Sequence, residues 1–363
     1  MNLNSLRKIK NLDQNQVAES IANLPQQLVA AWEAGQKTKI PAAFSQAANI
    51  VFCGMGGSNL ASELIKRVFG QQIKKPLILV RNYHLPAFVN DQTLVIINSY
   101  SGDTEETISC LRQAGELTKK IICISTGGKI ARLARQHKLA YLKINPIYNP
   151  SDQPRYGIGC QLGAALAVLV KLKLIKITNK EISTPAKWLT DFNSALLPTA
   201  KIRNNQAKQL ARKLWNKNIY VVAAEHLSAN AHILSNQINE SAKQLASPYK
   251  IPELGHHFLD ALNFPRRVIR DTAFIFLISP DYSERITRRF AITKKTLDHR
   301  RIANINIVAE EKQALAQALE ILTIGSWISF YLAILNKQNP ALNPWVLYLK
   351  RELEQMSSRG MHP

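Results

Sequence analysis

Two short runs of small residues hold the groups best suited to chemistry. Ser99-Tyr100-Ser101-Gly102-Asp103-Thr104-Glu105-Glu106 follows the apolar run Thr93-Leu94-Val95-Ile96-Ile97. Gly54-Met55-Gly56-Gly57-Ser58 follows Ile50-Val51-Phe52-Cys53. Each reads as a strand that ends in a loop and turns into a helix. Such a loop offers unpaired backbone N–H groups and the positive end of a helix dipole, which together attract an anion. Ser99, Ser101 and Thr104 place three aliphatic hydroxyls within six residues, more than one helix cap needs. Asp103 or Thr104 suits the cap, and Glu105 and Glu106 suit the first turn. Ser99 and Ser101 are then left facing one small space. In the upstream loop, Gly56 and Gly57 let backbone approach a ligand closely, with Ser58 beside them. Neither nucleotide motif fits. A dinucleotide fingerprint needs a third glycine where Asn59 stands, and a P-loop needs Lys-Ser/Thr after its last glycine. Hydroxyls without a lysine suit a small phosphate monoester.

The elements that must carry these loops follow from hydrophobic pattern. Strands are expected at 49–53, 77–81, 93–98, 120–125 and 140–144, with helices at 58–69, 103–117, 129–136 and 155–173. That alternation gives a parallel sheet with helices on both faces, so both loops open at its carboxyl edge, where open α/β folds bind ligands. An amphipathic helix spanning 14–35 precedes it, with Val17, Ile21, Leu24, Leu28 and Trp32 near one face. Pro146, Pro150 and Pro154 mark a loop. A second α/β pattern starts at 218–223 and continues with strands at 272–278 and 303–308, then helices at 311–335 and 344–356. The expected division is an N-terminal helical segment (1–45), a first α/β domain (46–180), connecting helices (181–215) and a second α/β domain with C-terminal helices (216–363).

Composition narrows the classes. Of 363 residues, 46% are apolar, enough for packed cores. No uninterrupted apolar run reaches a membrane span, and Met1–Lys8 has no signal-peptide core. Cys53, Cys110, Cys123 and Cys160 are widely spaced in mostly apolar surroundings, which fits reduced core thiols in a cytoplasmic protein rather than disulfides or a metal site. The net charge is +22, from 47 Lys and Arg against 25 acids. The densest basic run, Arg285 to Arg301, is interspersed with Ile286, Phe290, Ile292 and Leu297 and reads as the solvent face of a helix. The charge would draw in anionic small molecules, and no specific nucleic-acid partner is expected.

The two loops resemble those of sugar isomerase (SIS) domains, and the chain is most similar to the bifunctional phosphoglucose/phosphomannose isomerase family. The resemblance extends over nearly the whole chain. Arg81-Asn82-Tyr83-His84-Leu85-Pro86 resembles that family's Arg-x-Tyr-x-Leu-Pro segment, and Asn236–Lys243 its Gln-x-Asn-Glu-x-Ala-Lys helix. Pro252-Glu253-Leu254-Gly255-His256 resembles its Pro-Glu-Leu-x-His turn, and Leu349-Lys350 its terminal Leu-Lys. The implied fold is two SIS-type, doubly wound, parallel-sheet subdomains in three αβα layers. The implied reaction is aldose–ketose isomerisation of glucose 6-phosphate, and of mannose 6-phosphate, to fructose 6-phosphate.

By the resemblance, Glu240 is the base that shuttles a proton between C1 and C2, and His256 opens the sugar ring from a partner subunit of a homodimer. Lys350 would sit near the sugar oxygens, and Arg155 would stabilise enediolate charge. Gly56, Gly57 and Ser58 would face the sugar, and Ser99, Ser101 and Thr104 would hold the phosphate. No cofactor, metal or membrane is implied, since a carboxylate moves the proton unaided. Relatives commonly carry Asn-His-Asn-Glu where this chain has Gly255-His256-His257-Phe258. Asn343, before Pro344, lies where relatives often carry a threonine linked to acting on mannose phosphate. Two rival readings remain. A non-catalytic sugar-phosphate regulator would have no need of Glu240, His256 and Lys350 together, and residues 1–45 are too short for a helix-turn-helix domain. An enzyme for another phosphosugar shares every feature of the fold.

Overall fold

The computed structural model describes residues 2–358. Continuous apolar, β-branched runs form the central strands of the first sheet, which are covered on both faces as parallel sheets require. The first sheet contains β1 (Asn49–Cys53), β2 (Leu77–Val80), β3 (Thr93–Asn98), β4 (Ile121–Ser125) and β5 (Ala140–Lys143). Its order is β2-β1-β3-β4-β5, all parallel. The register pairs Cys53 with Ile97, so the loops after β1 and β3 leave the sheet side by side.

Three helices precede the sheet: α1 (Leu6–Leu12), α2 (Val17–Ala22) and α3 (Leu24–Lys37). The single helix expected over 14–35 is therefore broken at Asn23. Pro25 stands in the first turn of α3, where its missing N–H costs nothing, but it would clash inside a continuous helix. The Asp13 carboxylate accepts from Val17 N (2.7 Å) and Ala18 N (2.9 Å) and so starts α2. The sheet's own helices are α4 (Gly57–Phe69), α5 (Glu105–Leu117), α6 (Gly128–Gln136) and α7 (Ile158–Lys171). Helix α7 packs tightly along α3: a Cβ on Gly163 would lie 2.3 Å from Leu28 O.

Helices α8 (Asn179–Ser194) and α9 (Gln206–Leu214) lead to the second half. Its sheet holds β6 (Asn218–Ala223), β7 (Ala246–Lys250), β8 (Thr272–Ile278) and β9 (Ala303–Val308), in the all-parallel order β7-β6-β8-β9. Strand β7 has no counterpart in the sequence reading. It is a half-exposed edge strand that includes Pro248, a residue tolerated only at such an edge. The remaining helices are α10 (Ser228–Gln237), α11 (Phe258–Ala261), α12 (Val268–Asp271), α13 (Glu284–His299), α14 (Ala314–Leu335) and α15 (Pro344–Ser358). On α13, Phe290, Thr293 and Leu297 are buried while Arg285, Arg288 and Arg289 face solvent, although Ile292 is exposed with them.

By length and composition α14 could cross a membrane: it has 22 residues and a mean hydropathy of 1.7, a match the residue pattern did not single out. Here it is buried from Leu315 to Leu335 as the core helix of the second half. Its polar residues are satisfied inside the fold. Glu320 accepts from Glu310 N and Glu311 N, and Ser326 exchanges hydrogen bonds with Gln237.

Candidate functional site

The two small-residue loops interlock. Gly56 has φ +48°, and a Cβ on Gly57 would lie 2.8 Å from Arg155 N, so both positions require glycine. Helix α4 therefore starts directly against the backbone of residues 154–155. Ser58 is buried and ties the loops together. Its Oγ accepts from Tyr100 N (2.8 Å), and its carbonyl accepts from Asn98 Nδ2 (2.8 Å). Ser58 thus braces the two loops against each other at the place where the sugar is expected. Ser99 Oγ donates to Thr104 Oγ1 (3.1 Å) and accepts from Gly102 N (3.2 Å), which curls the loop around its own hydroxyls. Ser101 is exposed and accepts only from Asp103 N (3.3 Å).

Thr104 occupies the N-cap of α5, yet its side chain makes no cap bond, so its hydroxyl stays within the Ser99 cluster. Asp103 caps a different helix: its carboxylate accepts from Lys129 N (2.9 Å) in the first turn of α6. A third loop, Thr126-Gly127-Gly128, thus belongs to the cradle. A Cβ on Gly102, at φ +77°, would lie 2.0 Å from Gly127 O. The glycine pair after the apolar run 121–125 was a legible signal for it.

Arg155 joins this cradle to the second half. It lies in a 3-10 turn (Pro154–Tyr156) just before α7, rather than inside the helix expected from 155, and is 2% exposed. All five of its N–H groups are used. Nε donates to Ser241 Oγ (2.9 Å), and Nη1 to Gln153 Oε1 (2.9 Å) and Glu240 Oε2 (3.1 Å). Nη2 donates to Pro340 O (2.7 Å) and Ala341 O (2.8 Å). No N–H is left over for a further acceptor, and its one charged partner among the described residues is Glu240. Its backbone carbonyl also accepts from Gln237 Nε2 (3.0 Å), fixing the end of α10.

Glu240 sits where α10 widens into a π-turn, Ile238–Ala242, a distortion that often marks functional positions. Its carboxylate is about a third exposed and accepts from both Arg155 and Asn343 Nδ2 (3.1 Å). Asn343 Oδ1 is buried without a partner beside that carboxylate, and such an atom calls for a donor. Lys243, at the end of the π-turn, donates to Ser241 O and Asn339 O. Burial pulls its ammonium down to about 8, with the Arg155 charge adding to the effect and Glu240 opposing it. Gln153, Ser241 and Lys243 were missed as site residues because their roles depend on a fold that brings residues 153, 241 and 341 together.

His256 and Lys350 lie outside this network. His256 ends a 3-10 turn after β7, is exposed, and has no hydrogen bond or ion pair among the described residues. Neighbouring Phe258 is buried, with its ring 4.3 Å from Tyr249 and 5.0 Å from Tyr220, so an aromatic anchor fixes the segment just after the histidine. Lys350 is exposed on α15 and likewise unpartnered among the described residues. That helix begins one residue after Asn343, so its base is tied to Glu240.

A second charged cluster braces the halves nearby. Glu63 on α4 is 5% exposed and pairs with Arg81 (2.5 Å), with His232 Nδ1 on α10 (2.6 Å) and with Lys250 on β7 (3.6 Å). Burial alone would raise its carboxyl, but the hydrogen bonds and charges of His232 and then Arg81 outweigh that and bring it down to about 2.

Residues 43–149 match the SIS domain, and residues 203–353 match the bacterial phospho-glucose isomerase C-terminal SIS domain. A bifunctional phosphoglucose/phosphomannose isomerase of Caldicellulosiruptor bescii is 30% identical over 93% of this chain and 99% of its own length. One of Aquifex aeolicus is 28% identical over 84% of this chain and 90% of its own length. A hypothetical protein of Thermus thermophilus superposes with a TM-score of 0.74 at 14% identity, covering 96% of this chain and 92% of that one, which shows the fold. Two parallel SIS-type sheets and an almost full-length match place this chain in the bifunctional phosphoglucose/phosphomannose isomerase family.

Proposed function

We propose that this protein interconverts glucose 6-phosphate, and mannose 6-phosphate, with fructose 6-phosphate through a cis-enediol and without a metal. The observation that carries the reading is the position of Arg155. Its backbone abuts Gly57 of the phosphate loops, and its side chain grips Glu240. One residue thereby sets the distance between the anion cradle and the candidate base. The phosphate would rest on Ser99, Ser101 and Thr104, with Gly56 leaving open space in front of the loop. Glu240 then carries the proton between C2 and C1. Asn343 Oδ1 offers an acceptor to a sugar hydroxyl next to the reacting carbons.

Ring opening falls to His256, which would reach the site from a second copy. Support comes from α15, where Trp345, Tyr348 and Leu349 are 78%, 57% and 58% exposed. Apolar side chains displayed around a helix need a covering surface. A partner packed on α15 would bring Lys350 under cover and complete the site. We place the enzyme in the cytoplasm, on the support of four cysteines that are all free and buried.

The test is conversion of each aldose phosphate to fructose 6-phosphate by the full chain, with and without a chelator. Turnover of glucose 6-phosphate at an unchanged rate in chelator is expected. No turnover of either hexose phosphate would contradict the reading, and activity recovered only with added metal would remove its metal-free element.

A further inference from the structure

We propose that the first sheet carries a second binding site at the edge opposite the phosphate loops. Its ligand would be a small amphipathic anion: an aromatic or short acyl body bearing a carboxylate, sulfonate or phosphate. All five strands run parallel, so α5 starts at the carboxyl edge with Glu105 and delivers Leu117 to the amino edge. There a cleft of about 810 Å³ opens between the ends of α5 and α6, the starts of β4 and β5, and a 3-10 turn at Ala42–Gln46. Small-molecule sites commonly have such a volume and a mostly apolar lining. The apolar floor comes from Phe44, Leu111, Ile121, Leu133 and Leu139.

The rim is cationic. Arg112, Lys119 and Lys138 are exposed, and none has an ion-pair partner among the described residues. Glu116 is the one acid among the described lining residues. An apolar floor under three cations favours an anion with a hydrophobic body and disfavours a hydroxyl-covered sugar phosphate.

Gly115 gives an independent indication. It lies in the last turn of α5, two residues before the helix ends at Leu117, where alanine is still the better helix former. Packing explains other helical glycines: a Cβ on Gly35 or Gly159 would lie 2.4 or 2.8 Å from a neighbour. A Cβ on Gly115 would meet nothing within 4 Å, yet Gly115 lines this cleft. Its missing side chain leaves the cleft open without serving the packing of the fold.

The test uses the full chain and 8-anilinonaphthalene-1-sulfonate as probe, followed by fluorescence, with the uncharged N-phenyl-1-naphthylamine as control. Saturable one-to-one binding is expected, unaffected by saturating fructose 6-phosphate. Gly115→Phe should abolish it by filling the cleft. Reversing the rim with Lys119→Glu and Lys138→Glu should weaken the sulfonate roughly tenfold while leaving the neutral control unchanged. Unsaturable binding, displacement by fructose 6-phosphate, or equal affinity for probe and control would overturn the proposal. Should Gly115→Phe fail to fold, the rim pair decides, and sulfonate binding that ignores the reversal overturns it as well.

Discussion

At the residue scale, the phosphate loops distribute their hydroxyls unequally. Ser58 and Ser99 already carry hydrogen bonds that shape the loops, whereas Ser101 has a single long contact among the described residues and faces solvent. Ser101 is thus the hydroxyl freest to turn toward a phosphate. A hydrogen bond to a charged group contributes about 1.5–3 kcal/mol, so Ser101→Ala should raise KM for glucose 6-phosphate by roughly 10- to 100-fold. Because the loop keeps its other bonds, kcat should hold; steady-state kinetics with an unchanged KM would take Ser101 out of the cradle. Residue identity made these hydroxyls conspicuous in the sequence, but not which of them were already engaged. Asp103 shows the difference. It looked like a cap for α5, yet it caps α6, because only the folded sheet sets the two loops side by side.

At the element scale, legibility followed burial. Strands β1, β3 and β4 were plain because a sheet covered on both faces selects unbroken apolar runs. Strand β7 was hidden because an edge strand with a proline lacks that pattern. The contacts of Arg155 were invisible in the chain, since its partners lie up to 186 residues away. Its five donors are matched only once the 339–343 segment folds back. The Glu63 cluster belongs to this scale, for it pins α4 to α10 and β7. Its carboxyl falls from the ordinary value of 4.5 to about 2 on folding. A lowered carboxyl stabilises the fold above its unfolded pKa, and the gain is lost as pH falls through its folded value. With Arg81 partly screened by solvent, that amounts to on the order of 2–3 kcal/mol. Denaturant unfolding should therefore show wild type losing stability between about pH 4.5 and 2 more steeply than Glu63→Gln. Parallel curves would mean that the cluster does not couple to folding.

At the scale of the whole molecule, the candidate base and the candidate ring-opening group share no hydrogen bond or ion pair among the described residues. Glu240 is built into the seam between the halves, while His256 stands exposed on the second half and α15 displays an apolar surface. A shared site in a homodimer makes a numerical prediction. Glu240→Gln and His256→Ala should each be nearly inactive alone. After random exchange of subunits in equal amounts, half the dimers are mixed and one of their two sites is intact, so about a quarter of wild-type activity should return. No recovery would place both groups in one chain. Composition and spacing do not carry that arrangement, which the sequence offers only through its resemblance to a family, because a side chain lent across an interface looks like any exposed histidine.

In the proposed reaction Glu240, held by Arg155 beside an anion cradle, moves a proton at C2 of a hexose phosphate. Proton NMR of the aldose phosphate formed from fructose 6-phosphate in D2O tests it most directly. Deuterium at C2 is expected with wild type and a rate lower by ~10²–10⁴ or more with Glu240→Gln, while fructose 6-phosphate still binds that variant. Inversion at another carbon, or undiminished exchange at C2 by Glu240→Gln, would contradict it.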